Sequence, residues 1–268
     1  MSDPIQEPGP TPSLKHDRFR LDILLTQSKM VRSRTEAQEL IVAGLVLVDG
    51  RQVLKPGQSF ANTSKLEISG QQRRFVSRGG EKLEAALIGF NISVNGKRCL
   101  DVGASTGGFT DCLLQHQAAH VTAIDVGHGQ LDPSIAANPK VDSREGVNVR
   151  NLAQNDLPAK FDIIVVDLSF ISLRLVLPAL SQFLSEEGDL ICLVKPQFEV
   201  GRQALGRGGI VRSTALRNEA LTTVQESAKS LGYNVCGSME SPLHGGDGNV
   251  EFLIHLKREE PSCKMKSC

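Results

Sequence analysis

DVGASTGGFTD, residues 101–111, decides how the longer part of the chain folds. KRCLDVG (97–103) reads as a short apolar strand, and FTDCLLQHQ (109–117) reads as a helix. The glycines between them make the turn. HVTAIDVG (120–127) supplies the next strand, and FDIIVVDL (161–168) and DLICLVKP (189–196) are two further apolar runs bounded by turn residues. Runs this continuous fit strands buried on both faces. Their alternation with helices predicts an α/β fold with a doubly wound parallel sheet. Residues 216–231 read as another helix, and NVCGSMES (234–241) and NVEFLIHLK (249–257) as closing antiparallel strands.

The same loop has a ligand-binding pattern. Gly103 permits a sharp turn, Gly107 and Gly108 let backbone come close to a ligand, and the following helix offers its free N–H groups. Asp125 ends the next strand 22 residues after Gly103, where a carboxylate can take both hydroxyls of a ribose. The spacing is G-x-x-x-G-G, not the G-x-G-x-x-G of dinucleotide enzymes. D-x-G-x-x-x-G-G resembles motif I of the S-adenosylmethionine-dependent methyltransferases, whose fold is Rossmann-like. A dehydrogenase and a cofactor-free fold of the same shape are the alternatives. The resemblance implies S-adenosylmethionine as cofactor, held by Asp101, Gly103, Ala104, Ser105, Thr106, Gly107, Gly108, Phe109 and Asp125.

Two charged residues stand at carboxyl ends of apolar strands, where ligands sit in open α/β sheets: Asp167 and Lys195. Lys82, on the helix leading into the sheet, and Glu251, in a strand following a glycine-rich loop, complete a set. Lys82, Asp167, Lys195 and Glu251, in that order, resemble the catalytic tetrad of the FtsJ-type ribose 2′-O-methyltransferases. A ribose hydroxyl is a poor nucleophile until its proton is leaving. Lys195 can act as the base, or it can hold the hydroxyl in line and stabilise developing negative charge. Methylation of a base amino group would call for an N/D-P-P-Y/F-like loop after the fourth strand, where this chain has DLSF. Methylation at C5 would need a nucleophilic cysteine, and Cys192 lies inside its strand.

The N-terminal part is different. From Lys15 through Lys82, thirteen lysines and arginines face seven acidic residues, an excess of +6 in a chain of zero net charge. Such a front suggests a polyanion-binding module. Leu21, Leu24 and Leu25 mark a short helix. Ser33 and Glu36 form a capping box that opens a second helix, Arg34 to Ala43, and Gly44 stops it. LVLVDGRQVLKPG (45–57) turns at Asp49-Gly50 as a hairpin, and KLEIS (65–69) adds a strand. This order resembles the S4 RNA-binding domain. By that resemblance Lys29, Arg32 and Arg34 meet RNA phosphates, with Arg73 and Arg78 in the basic stretch that follows.

The expected organisation is a disordered tail (1–17), an S4-like domain (18–72), a linker (73–80), a methyltransferase domain (81–257) and a polar tail (258–268). No apolar run approaches the ~20 residues of a membrane span. Six cysteines without a CxxC pair argue against a disulfide scaffold and a zinc site, so no metal is expected. Cys99, Cys112, Cys192 and Cys236 read as small core residues, and Cys263 and Cys268 as free thiols in the tail. A cytoplasmic setting follows.

With SRGGEKLEAAL at the junction and LVKPQFEVGR around Lys195, the whole resembles the TlyA family over about residues 18–257. The resemblance implies methylation of cytidine 2′-hydroxyls in ribosomal RNA, with ribosomal subunits as partners. It also makes RRFV (73–76) the segment coupling RNA binding to the cofactor site. Two alternatives come with it: a catalytically silent ribosome-assembly factor, and a membrane-lytic protein, since members carry a haemolysin label.

Overall fold

The computed structural model describes residues 17–259, apart from 32, 70–73, 154, 158–159 and 247. Expectations for Arg32, Arg73, Cys263, Cys268 and most of the two tails lie outside the described residues. The chain divides into two compact units, residues 1–72 and 73–268.

The smaller unit follows its local signals. β1 (Arg18–Arg20) leads into α1 (Leu21–Gln27), and α2 (Arg34–Val42) follows. Ser33 caps α2 by accepting a hydrogen bond from Glu36 N at 3.2 Å, and Gly44 ends the turn beyond it at φ +73°. β2 (Val46–Val48) and β3 (Arg51–Gln52) form the hairpin, with Asp49 at φ 51° and Gly50 at φ 75°. Both values are positive, as a type I′ turn requires. β4 (Ser59–Ala61) pairs with β1, and β5 (Leu66–Ile68) pairs with β2. Leu21, Leu25, Ala37, Ile41, Val46 and Val48 are among the eight buried residues of its core. So few buried side chains, each contributing about 1.5–3 kcal/mol, place the unit near the lower limit for independent folding.

The larger unit begins before the expected boundary. Phe75, in the stretch expected as linker, is 1% exposed and belongs to its core. Gly80 is the reason it fits, since a Cβ there would lie 2.3 Å from Phe75 Cγ. α3 (Gly79–Gly89) is followed by β6 (Arg98–Val102), α4 (Gly108–Gln115), β7 (His120–Asp125), α5 (Pro133–Ala136), β8 (Val141–Glu145) and β9 (Phe161–Val166). Then come α6 (Leu177–Leu180), β10 (Leu184–Val194), α7 (Pro196–Glu199), α8 (Thr214–Ser230), β11 (Tyr233–Glu240) and β12 (Phe252–Arg258). The strands form a sheet of order β11-β12-β10-β9-β6-β7-β8. β12 runs antiparallel to both its neighbours, and the other pairings are parallel.

Strand alternation divides the interior into two cores. Ile164, Val166, Cys192 and Val194 face one side with Val224 and Ala228 of α8. Ile163, Val165, Ile191 and Leu193 face the other with Leu83 of α3 and Leu113 of α4. The strand order reverses between β6 and β9, which opens a crevice at their carboxyl ends.

Two expectations are corrected. β10 starts at Leu184, not 189; residues 185–189 are polar or glycine and its register with β9 is irregular between Leu184 and Asp189, so no apolar run announces it. Cys236 is exposed, not a core residue. It lies at the register shift between Val235 and Gly237 in β11, an edge strand.

Candidate active site

A cavity of about 480 Å³ opens at the carboxyl ends of β6, β7 and β9. Gly103, Ser105 and Asp125 line it with Asp167. Gly103 has φ +88°, and a Cβ there would lie 2.3 Å from the carbonyl oxygen of Asp167. Glycine therefore lets the loops after β6 and β9 touch. Asp125 fixes the rim: Oδ2 accepts from Ser105 N at 2.8 Å and Oδ1 from Gly127 N at 2.7 Å. Two oxygens offer about four acceptor sites, so both can still receive a ligand's hydroxyls.

The other loop residues expected at the cofactor stand behind the rim. Asp101 is fully buried, and its Oδ2 accepts from Thr110 Oγ1 at 2.6 Å. Burial above all, with Asp167 and Asp125 nearby, pushes its carboxyl up to about 7 against the effect of that bond. It braces the loop from below. Phe109 and Ala104 are buried, and Thr106 is exposed with its carbonyl accepting from Asp132 N. Gly107 and Gly108, expected to let backbone come close to a ligand, also stand against the protein's own atoms. A Cβ on Gly107 would lie 2.7 Å from Leu131, and one on Gly108 would lie 2.1 Å from Ser77 Oγ.

A second cavity, of about 840 Å³, adjoins the first, and Ser169, Phe170 and Ile171 line both. Lys195 and Glu251 reach it from β10 and the segment before β12. Lys195 is the N-cap of α7, and Pro196 is its first residue, where a missing N–H costs nothing. Lys195 Nζ lies 2.7 Å from Asp167 Oδ1 and donates to Ser169 Oγ at 2.9 Å. The contact with Asp167 is a charge contact without hydrogen-bond alignment, for Oδ1 is buried with no hydrogen-bond partner. Lys82 Nζ donates to Glu251 Oε2 at 2.5 Å, and these side chains are 9% and 3% exposed. The four residues stand as two lysine–carboxylate pairs.

Other side chains, not singled out by the sequence, hold this frame. Glu199 accepts from Ser172 Oγ at 2.5 Å and Leu173 N at 2.7 Å, so it anchors the wall that follows Asp167. Asn249, 1% exposed, accepts from Val211 N at 2.9 Å and donates to Gly209 O at 3.2 Å, which ties the loop of residues 209–211 to the segment bearing Glu251. Phe170 is 91% exposed at φ +65° and meets Phe198 at 5.2 Å between ring centroids. An exposed aromatic in a strained backbone is a functional signal, and one that depends on three-dimensional placement rather than on sequence pattern. Cys192 is fully buried, and burial, with Glu199 second, pushes its thiol well up, so it is not a nucleophile. Among the described residues no group of three His, Cys, Asp or Glu is arranged to hold a metal, and no helix is long and apolar enough to cross a membrane.

In the smaller unit, Lys29 is exposed. Arg34 donates to Asp22 Oδ2 at 3.0 Å, and Arg20 and Gln38 donate to the same carboxylate. Asp22 is fully buried, and Arg20 above all, with Gln38 and Arg34, holds its carboxyl well below the usual range. Arg34 therefore has a structural bond as well as a surface-exposed fork. Arg78 belongs to the larger unit, partly buried, and its guanidinium would lie 3.7 Å from a Cβ on Gly246.

Residues 75–258 match the FtsJ-like methyltransferase family, and residues 19–59 match the S4 domain. The chain is 45% identical, over 90% of its length and 91% of the relative's, to a Mycobacterium tuberculosis protein named 16S/23S rRNA (cytidine-2′-O)-methyltransferase TlyA. It is 39% identical, over 89% of its length and 99% of the relative's, to Hemolysin A of Brachyspira hyodysenteriae. A solved protein of Streptococcus thermophilus, provisionally described as a hemolysin, superposes with a TM-score of 0.74 at 41% identity, covering 91% of this chain and 89% of that one.

Proposed function

The chain belongs to the TlyA family, an S4 domain followed by an FtsJ-like methyltransferase domain, and we propose that it methylates a cytidine ribose 2′-hydroxyl of ribosomal RNA with S-adenosylmethionine as donor. The observation that carries this reading is the shared wall Ser169–Ile171 between the two cavities, with a lysine–carboxylate pair beside it. Donor and acceptor bound in the two cavities meet there.

The smaller cavity fits the donor. Its floor is closed to any residue but glycine at 103, and Asp125 has acceptor capacity left for a ribose. When bound, S-adenosylmethionine supplies a methyl group on a sulfonium. The chain supplies position and proton management. Lys195 Nζ, paired with Asp167, faces the acceptor hydroxyl: as the neutral amine it takes the hydroxyl proton, and as the ammonium it holds the oxygen in line and offsets the charge that develops there. Lys82 and Glu251 form a preorganised pair at the same edge, with its field fixed before the substrate arrives. Holding the hydroxyl in line supplies much of the remaining acceleration.

The S4 domain brings the RNA. Arg34, partly fixed by Asp22, and Lys29 present positive charge to phosphates, which yields affinity without reading sequence. Ribosomal subunits in the cytoplasm are the setting. The test is transfer of tritiated methyl to isolated small and large ribosomal subunits, followed by mapping. The expected label sits on a cytidine whose 3′ linkage resists alkali, because a methylated 2′-oxygen cannot attack it. Label on a base or on ribosomal protein, or no label on either subunit, overturns the reading.

A further inference from the structure

We propose that Ser169 is a positioning residue that aims Lys195 at the acceptor hydroxyl; this rests on the methyl-transfer reading above. Lys195 has two partners, and they do different things. Asp167 Oδ1 lies 2.7 Å from Nζ but out of hydrogen-bond alignment, so it supplies charge without direction. Ser169 Oγ, at 2.9 Å, is the aligned acceptor. A lysine nitrogen has three positions beyond Cε and spins freely about its last bond unless an acceptor holds one of them. Ser169 holds that position, and the cavity side of Nζ is left for the ribose oxygen.

Ser169 is itself rigidly placed. Residues 169–173 and 195–199 run beside each other and are joined three times. Lys195 donates to Ser169, Phe170 packs its ring on Phe198, and Ser172 Oγ and Leu173 N donate to Glu199. Lys195 caps the single turn of α7 and Glu199 is its last residue, so the rung at Glu199 sets the separation that the rung at Lys195 needs. Asp167 lies two residues before Ser169 on the same segment, and its N–H is fixed to Val102 O at 3.0 Å. The charge and the direction given to Lys195 thus come from one braced strip of chain. Ser169 also lines both cavities, so the nitrogen is oriented where methyl donor and acceptor meet.

The test uses the full chain, Ser169→Ala and Ser169→Thr, in methyl transfer to the ribosomal subunit that the wild type labels. Ser169→Ala is expected to lower kcat about tenfold, the rate equivalent of one aligned hydrogen bond. KM for the subunit, cofactor affinity and the melting temperature stay at wild-type values. Ser169→Thr, which keeps the hydroxyl, returns most of kcat. Unchanged kcat in Ser169→Ala overturns the inference. So does a loss confined to KM, cofactor affinity or melting temperature, or a Thr variant as slow as the Ala variant. A wild type that places no methyl on a 2′-oxygen fails the underlying reading instead, and the two failures are told apart by that control.

Discussion

Replacing Glu251 by glutamine strands a charge. Lys82 and Glu251 have side chains only 9% and 3% exposed, so water cannot replace the lost carboxylate. Removing one partner of a buried pair costs about 3–5 kcal/mol, because the other charge is left uncompensated. Exchanging both for apolar residues of similar size costs far less, and Lys82→Met with Glu251→Leu should lie within about 1–2 kcal/mol of wild type. With a urea dependence of about 2 kcal/mol per M, Glu251→Gln should lower the unfolding midpoint by about 2 M. The chain has one tyrosine and no tryptophan. Tyr233, 2% exposed in β11 beside β12, makes its fluorescence a private reporter of the larger unit. Single substitutions whose costs simply add in the double variant would refute the pairing. The double variant should also be folded yet inactive, which separates the pair's chemistry from its contribution to stability.

Lys195→Ala should reduce methyl transfer by about 10²–10⁴-fold, the usual range for a lost proton acceptor, while subunits and cofactor still bind; retained turnover removes Lys195 from the mechanism. Asp101→Asn should flatten part of the pH dependence of stability. The folded-state carboxyl is raised to about 7, so its contribution is fullest below the unfolded value near 3.8 and is lost as pH rises through about 7. The variant should therefore gain on the wild type by on the order of 2–4 kcal/mol at pH 8 and show no gain at pH 4; an equal difference at both would refute the assignment. Removing residues 1–72 should abolish tight, salt-dependent binding of ribosomal RNA while the Tyr233 transition persists; an unchanged slope of log affinity against log salt speaks against an RNA-binding S4 domain.

What was legible in the sequence was local. The turn at Asp49-Gly50, the cap at Ser33 and the strand–loop–helix at 101–111 declare themselves because each needs only neighbours a few residues away. Asp167 and Lys195 could be found for the same reason, as charges ending apolar strands. What was missed depends on distant partners. β1 pairs with β4 through RFR, three residues with too little alternation to read as a strand. Asp22 is buried because Arg20, Arg34 and Gln38 close over it. Glu199 anchors residues 172–173, a role that nothing in the stretch around the lysine announces. The glycines at 107 and 108 also stand against Leu131 and Ser77, a packing demand that no spacing rule separates from a ligand's.

The bond between Lys82 and Glu251 joins residues 169 positions apart. At about 5–20 residues per second, a ribosome needs roughly 10–30 s to deliver the second after the first. A nascent chain therefore acquires its S4 domain and its glycine-rich loop early, but holds an unfinished sheet edge until β12 slots between β10 and β11. On the proposed function, it is made on the surface of its own substrate. The order of synthesis then keeps it inert there until β12 is in place.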